Sequence, residues 1–323
     1  MRFGFSPVQS HARFDAMQTQ SRLAETLGFD VLWLHEHHSL KQMYPDPLMA
    51  LAALAPVTER IGLGTNMLLL PIHHPVRVAQ AAAMVDVLSN GRLHFGVANG
   101  YSEGDLRTFG VSSSRRGARM SEGLKLIRAL WTEDEVTCAG EGFELTDFQL
   151  FPKPVQDPRP LIYVGGHAPA AIRRAARLGD RYLLSTTQQA SDIAALIAIY
   201  HAALRDAACP VQKPLLNRIV CTVANKEHKA QALAFFGDIF LATYGHWGHD
   251  NVADLDLNDR DYDKLNRELF IIGEPSECIE RIHAYEDLGI GHIACLMNFG
   301  GADPEMADRS LRLFGEKVLP MFA

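Results

Sequence analysis

No stretch of this sequence approaches the ~20 uninterrupted apolar residues of a membrane-spanning helix, and Met1-Arg2-Phe3-Gly4-Phe5-Ser6 carries no apolar export segment. Neither a membrane partner nor secretion is expected. Cysteine is sparse: Cys138, Cys209, Cys221, Cys278 and Cys295 are five in number, widely spaced and without a Cys-x-x-Cys pair. That argues against a disulfide framework and a thiolate zinc site, and fits a reducing cytoplasm. Positive charge is short as well, with 31 Lys and Arg against 38 Asp and Glu, a net charge of −7. Without a basic stretch, a nucleic-acid partner lacks its electrostatic footprint. Also missing are a Gly-x-Gly-x-x-Gly after the first strand candidate, a low-complexity linker, and a repeat of roughly 20–50 residues.

What is present is a strand–helix rhythm over 323 residues, 47% of them hydrophobic. Strand candidates at 2–6, 31–34, 61–70 and 93–97 alternate with helical patterns at 13–27, 47–57 and 76–88 and a helix ending near Trp131. Residues 136–150 alternate in polarity around Gly140-Glu141-Gly142 and predict a hairpin. Strand candidates at 161–164, 182–185, 216–223 and 292–297 complete the series, with polar residues 244–263 after the seventh. Eight strands, each followed by a helix, predict a single-domain (β/α)8 TIM barrel over residues 1–323, with insertions after strands four and seven. A doubly wound open sheet is the competing architecture.

In such barrels the chemistry lies at the carboxyl ends of the strands. His35-Glu36-His37-His38 follows strand two, Asn66-Met67 strand three, Asn99-Gly100-Tyr101 strand four, Gly165-Gly166-His167 strand five and Asn298-Phe299 strand eight. A histidine at such a position can move a proton near neutral pH. On an extended backbone His35 and His37 share a face, so a metal pair is also possible, as is a purely structural role. The paired glycines let backbone approach an anion at a helix N-terminus, or serve only the turn. His73-His74 reads as helix-start packing and solvated imidazole, Arg115-Arg116 and Arg173-Arg174 as solvated surface, and Trp33 and Trp131 as core. Phe5, Tyr44, Met297 and Phe299 are candidates for an apolar substrate pocket.

Three blocks carry a resemblance: Gly28-Phe29-Asp30-Val31-Leu32-Trp33-Leu34-His35-Glu36-His37-His38, Leu70-Pro71-Ile72-His73-His74-Pro75-Val76-Arg77, and Ser89-Asn90-Gly91-Arg92-Leu93-His94-Phe95-Gly96-Val97. In this order the chain resembles the bacterial luciferase family of flavin-dependent monooxygenases. The resemblance implies reduced FMN (FMNH2) supplied by a separate NAD(P)H:flavin reductase, O2 as co-substrate, and oxygenation of a small organic substrate through a C4a-peroxyflavin. It implies His37 as catalytic base and stabiliser, with Glu36 and His38 in support. It implies a cis peptide at Asn66-Met67 beneath the flavin ring and a phosphate turn at Gly165, Gly166 and His167, with Asn99 beside the cofactor. A homodimer through the second and third helices is also implied; Leu48, Met49, Leu51, Leu54, Val78, Met84 and Val85 are apolar residues that either that face or barrel packing accounts for equally well. The chain departs from the luciferase alpha chain in having Ala98 and Asn99 where that chain has a cysteine and a phosphate-binding arginine. Arg115 or His167 is expected to compensate. The lid is expected to be short, between Asn266 and Gly273, with residues 244–263 as a replacement cover. The rivals are an F420-dependent oxidoreductase on the same fold, a metal-dependent hydrolase using His35 and His37, and a non-catalytic flavin-binding protein.

Overall fold

The computed structural model describes residues 1–9, 14–38, 43–247, 260–301 and 303–322. In chain order the elements begin β1 (Arg2–Phe5), α1 (Phe14–Leu27), β2 (Val31–Leu34), α2 (Pro47–Leu54), β3 (Gly62–Thr65), β4 (Leu68–Leu69), α3 (Pro75–Leu88) and β5 (Leu93–Ala98). They continue with α4 (Glu103–Thr108), α5 (Arg116–Thr132), β6 (Val136–Gly140), β7 (Phe143–Phe148), β8 (Leu161–Gly165), α6 (Pro169–Leu178), β9 (Arg181–Leu184) and α7 (Ala190–Asp206). The last are β10 (Leu215–Thr222), α8 (Lys226–Trp247), α9 (Tyr262–Leu269), β11 (Phe270–Gly273), α10 (Pro275–Asp287), β12 (His292–Leu296) and α11 (Pro304–Lys317).

Strands β1, β2, β3, β5, β8, β9, β10 and β12 pair in parallel in that order. The ring closes where Arg2 to Phe5 pair with His292 to Cys295. This is the (β/α)8 barrel the strand–helix rhythm predicts, and closure leaves its eight strands no free edge. Among the described residues, no helix is long and apolar enough to cross a membrane.

Three readings of the sequence need correction. The strand predicted over 61–70 is broken, β3 ending at Thr65 and β4 starting at Leu68, with a cis bond between Asn66 and Met67. The segment from Asn266 to Gly273, read as a shortened lid, is the end of α9 and the strand β11, which extends the sheet on β10 from Ile219↔Phe270 to Thr222↔Gly273. Asn266 fixes that corner, its Nδ2 donating to the Ile272 carbonyl at 2.9 Å and its Oδ1 accepting from the Ile272 amide at 3.0 Å. Of the proposed dimer face, Leu48, Leu51, Leu54, Val78 and Val85 are buried within the protomer, whereas Met49 and Met84 are exposed. Barrel packing claims the former because α2 and α3 must cover β2 and β3. The hairpin over 136–150 is present as antiparallel β6 and β7, between α5 and β8. Of the polar stretch 244–263, residues 248–259 lie outside the described residues.

Side chains alternate along each strand. Phe3, Phe5, Leu32 and Leu34 belong to the core cluster packed with the helices, and Val31, Trp33, Tyr163, Leu215 and Ala294 to a second cluster. The Trp33 indole fits only because Gly4 and Gly64 lack a side chain: a Cβ there would come within 2.2 and 2.3 Å of it. Around the indole, ring centroids of Tyr163, His94 and His292 lie at 5.2, 5.9 and 5.6 Å.

Burial makes charging His94 costly, lowering its pKa to about 3, and holds His292 well below its ordinary value. Both take up protons near pH 6.5 in the unfolded chain. A depressed folded pKa means that stability is intact above pH 6.5 and is lost as pH falls below it, because the unfolded state then binds protons that the native state refuses. His94→Phe is therefore expected to flatten the acid side of a stability–pH curve measured by urea denaturation. An unchanged slope would show that His94 is not held neutral.

Candidate functional site

The rim at the carboxyl ends of β2 and β3 is organised by one carboxylate. Glu36 is 2% exposed. Its Oε1 lies 2.7 Å from His38 Nε2 and 2.7 Å from His73 Nε2, while Oε2 accepts the Leu69 amide at 2.7 Å. Burial alone would raise its pKa, but these partners together hold it below the usual carboxylate range. His38, in turn, is raised, first by its hydrogen bond to Glu36. His73 thus has a defined role and is not the solvated helix-start residue that its His-His-Pro context suggested, whereas neighbouring His74 is exposed. The ligand atoms of Glu36, His38 and His73 all lie within 4.8 Å of one another. The hydrogen bonds above already engage them.

His35 and His37, the hydrolase pair, have different surroundings. His35 Nε2 is 3.1 Å from Ser6 Oγ, and its backbone N–H and C=O are both held at 2.8 Å by the Gln9 side chain. Burial lowers its pKa to about 3, opposed by a hydrogen bond to the Asn66 backbone. His37 is lowered to about 4, again chiefly by burial, against the opposing charges of Asp105 and Glu36. It is a neutral imidazole near neutral pH, the form able to accept a proton.

Further round the rim, Met67, Ala98 and Gly165 meet. A Cβ on Gly165 would fall 2.0 Å from Met67 Sδ and 3.6 Å from the Ala98 Cβ, so a side chain there would displace the Met67 thioether. Gly166 has φ +146° and leads into α6, whose N-terminus has no side-chain cap. Asn99 follows β5 with its Oδ1 buried and lacking a hydrogen-bond partner among the described residues. Arg174, read as solvated, is half-buried, with Nε on Ser121 Oγ at 2.9 Å and a buried Nη1 that also lacks a partner. Arg115 is not available to replace the missing arginine, being paired with Glu141 of the β6–β7 turn at 2.8 Å. His167 is half-buried on the Gly165-Gly166 turn.

Of the predicted pocket residues, Phe299 lines the cavity at this rim together with Ser6, Pro7, Gln9, His35, Met43, Leu296 and Asn298. Tyr44 is half-buried, and its carbonyl accepts the His37 amide at 3.5 Å. Phe5 and Met297 do not line it. Phe5 packs on Phe29 at 5.8 Å and Met297 Sδ receives the Ser310 hydroxyl at 3.6 Å, both on the helix side. The two-residue period explains this: Ser6 and Leu296, their neighbours, take the inward positions. Sequence reasoning also missed Asn217, whose side chain exchanges hydrogen bonds of 2.6 and 3.1 Å with Asn66 across the barrel. Only the register of a closed barrel brings those two residues together.

A closed barrel with its titratable groups gathered at the strand ends is the architecture of a rim-site enzyme. The chain belongs to the luciferase-like monooxygenase family, whose model matches residues 1–292, and is an oxidoreductase of that family. It is 27% identical to the oxygenase component of a flavin-dependent trigonelline monooxygenase of Acinetobacter baylyi, over 96% of this chain and 90% of that protein. It is also 27% identical to an F420-dependent glucose-6-phosphate dehydrogenase of Amycolatopsis mediterranei, over 92% and 91%. The crystal structure of the monooxygenase RslO1 from Streptomyces bottropensis superimposes with a TM-score of 0.84 at 25% identity, covering both chains completely.

If Glu36 is what raises His38, Glu36→Gln removes the negative charge and brings the His38 titration down. Histidine proton NMR across pH 5–9, a range of about two units either side of neutrality, reads this directly. An unmoved His38 would assign the shift to another group.

Proposed function

We propose that the chain is the oxygenase component of a two-component flavin monooxygenase, taking reduced FMN from a separate NAD(P)H:flavin reductase and oxygenating a small organic substrate with O2. The observation that carries this reading is the rim turn at Gly165-Gly166, which leads into an uncapped helix N-terminus and packs beside Met67 and Ala98, next to Asn99, whose buried Oδ1 lacks a partner among the described residues. Backbone amides at a helix start favour a phosphate, and a side-chain amide with an unfilled hydrogen bond is costly unless a ligand completes it. Asn66, Met67, Asn99, Gly165, Gly166 and His167 would hold the cofactor, with Arg174 a nearby source of positive charge.

Reduced flavin supplies the two electrons that divide O2 between product and water. The protein's part is to orient and to manage protons. His37, on the loop after β2, is the acid–base group of this reading; Glu36 fixes the loop that carries it, and His38 completes that brace. A homodimer through α2 and α3 belongs to the same proposal, with Met49 and Met84 presented to the second copy.

Hydride transfer with F420 is the second reading, favoured by the equal identity to an F420-dependent dehydrogenase. Anaerobic titration with each reduced cofactor, followed by O2 uptake, separates the two. Tight FMN binding with O2 consumption is expected, and preferential binding of F420 without O2 consumption would reverse the assignment. His37→Ala should keep FMN affinity within about twofold while product formation drops by about 10²-fold or more, the usual contribution of a positioned acid–base group. Retained product formation would remove His37 from the chemistry.

A further inference from the structure

The cavity at the mouth of the barrel contains a polar pair that the cofactor cradle does not use. Ser6 leaves β1 and His35 leaves β2, and the two side chains meet at 3.1 Å between Oγ and Nε2. Both are fixed from behind. The Ser6 amide donates to the Cys295 carbonyl at 3.1 Å, its carbonyl accepts from Asn298 Nδ2 at 3.0 Å, and Gln9 holds both backbone groups of His35. The amides of Gln9 and Asn298 are therefore committed to protein partners, Asn298 also exchanging bonds of 3.3 and 3.4 Å with Gln20. The other lining residues, Pro7, Met43, Leu296 and Phe299, are apolar.

The tautomer of His35 follows from its two neighbours. With Nε2 facing the serine, Nδ1 is the nitrogen left for the Asn66 backbone. The Asn66 amide is spent on the Leu34 carbonyl at 2.6 Å, so the backbone group left for His35 is the Asn66 carbonyl, an acceptor that calls for the proton on Nδ1. Nε2 then presents a lone pair, the Ser6 hydroxyl donates to it, and the serine oxygen's own lone pairs remain for the cavity it lines. Both ring nitrogens of His35 are thus engaged by protein partners, so the pair meets a ligand through the serine oxygen. Among the described residues, no Asp, Glu, Lys or Arg lines this cavity.

We infer that Ser6 and His35 form a specificity element selecting a neutral substrate with an apolar body and one hydrogen-bond donor, a hydroxyl or ring N–H, which donates to Ser6 Oγ. This deepens the monooxygenase reading and rests on it for the statement that the bound molecule is the one oxidised.

The test uses phenol and anisole, in which a methyl group replaces the hydroxyl proton, with affinities from ligand-observed NMR on the full chain. Phenol is expected to bind about fivefold more tightly than anisole, the ratio one hydrogen bond supports, and Ser6→Ala should bring the ratio to about one while Ser6→Thr keeps it. Equal binding by the wild type, a preference for anisole, or a preference that survives Ser6→Ala would overturn the inference. Should Ser6→Ala not fold, ¹⁵N NMR of selectively labelled histidine in the wild type decides. A neutral, Nδ1-protonated His35 supports the assignment, and an Nε2-protonated ring sinks it, because the serine would then be the donor. Failure to bind FMN with the phenol preference intact would reject the monooxygenase reading and leave the pocket; FMN bound with phenol and anisole equal would do the reverse.

Discussion

A single buried carboxylate, Glu36, ties the ends of two neighbouring strands into one rigid rim. Its three hydrogen bonds join the β2 loop, through His38, to Leu69 and His73 beyond β3. A charge at 2% exposure is tolerable only when its hydrogen bonds are made. Once made, they fix the backbone on which His35 and His37 stand, and those two histidines then face different partners a short distance apart. The rim is therefore preorganised, which lets a barrel enzyme do its chemistry at strand ends.

The barrel below the rim is polar in an unusual place. Trp33, His94, Tyr163 and His292 fill its interior, with glycines at Gly4, Gly62 and Gly64 opening the volume for them. The His94 ring nitrogen and the Tyr163 hydroxyl are 3.2 Å apart. Burial suppresses ionisation throughout this layer, so the interior and the rim share one electrostatic theme. Imidazoles are retained as neutral donors and acceptors, and negative charge is confined to sites such as Glu36 where hydrogen bonds hold it.

The division of labour around the rim follows from which strand contributes what. Strands β3, β5 and β8 bring Met67, Asn99 and the Gly165-Gly166 turn to one side, the turn leading into the uncapped start of α6. Strands β1, β2 and β12 bring Ser6, His35, Leu296 and Phe299 to the other, where no Asp, Glu, Lys or Arg lines the cavity among the described residues. Asn66 belongs to both halves, its backbone facing His35 and its side chain locked to Asn217 on β10.

The sequence by itself determined the barrel, because alternation of apolar strands and helices is local and periodic, and it determined which loops carry polar residues, because those follow strand ends directly. It also carried the motif blocks on which the family and the Asn66–Met67 cis bond were expected. What it left undecided were matters of facing and partnership. Phe5 and Met297 were indistinguishable from pocket residues until strand phase turned them toward the helices and their neighbours Ser6 and Leu296 inward. His73 looked like surface until folding brought it onto a carboxylate 37 residues away. Such contacts depend on register across a closed sheet, and register is fixed by the whole barrel, so only the tertiary structure could decide them.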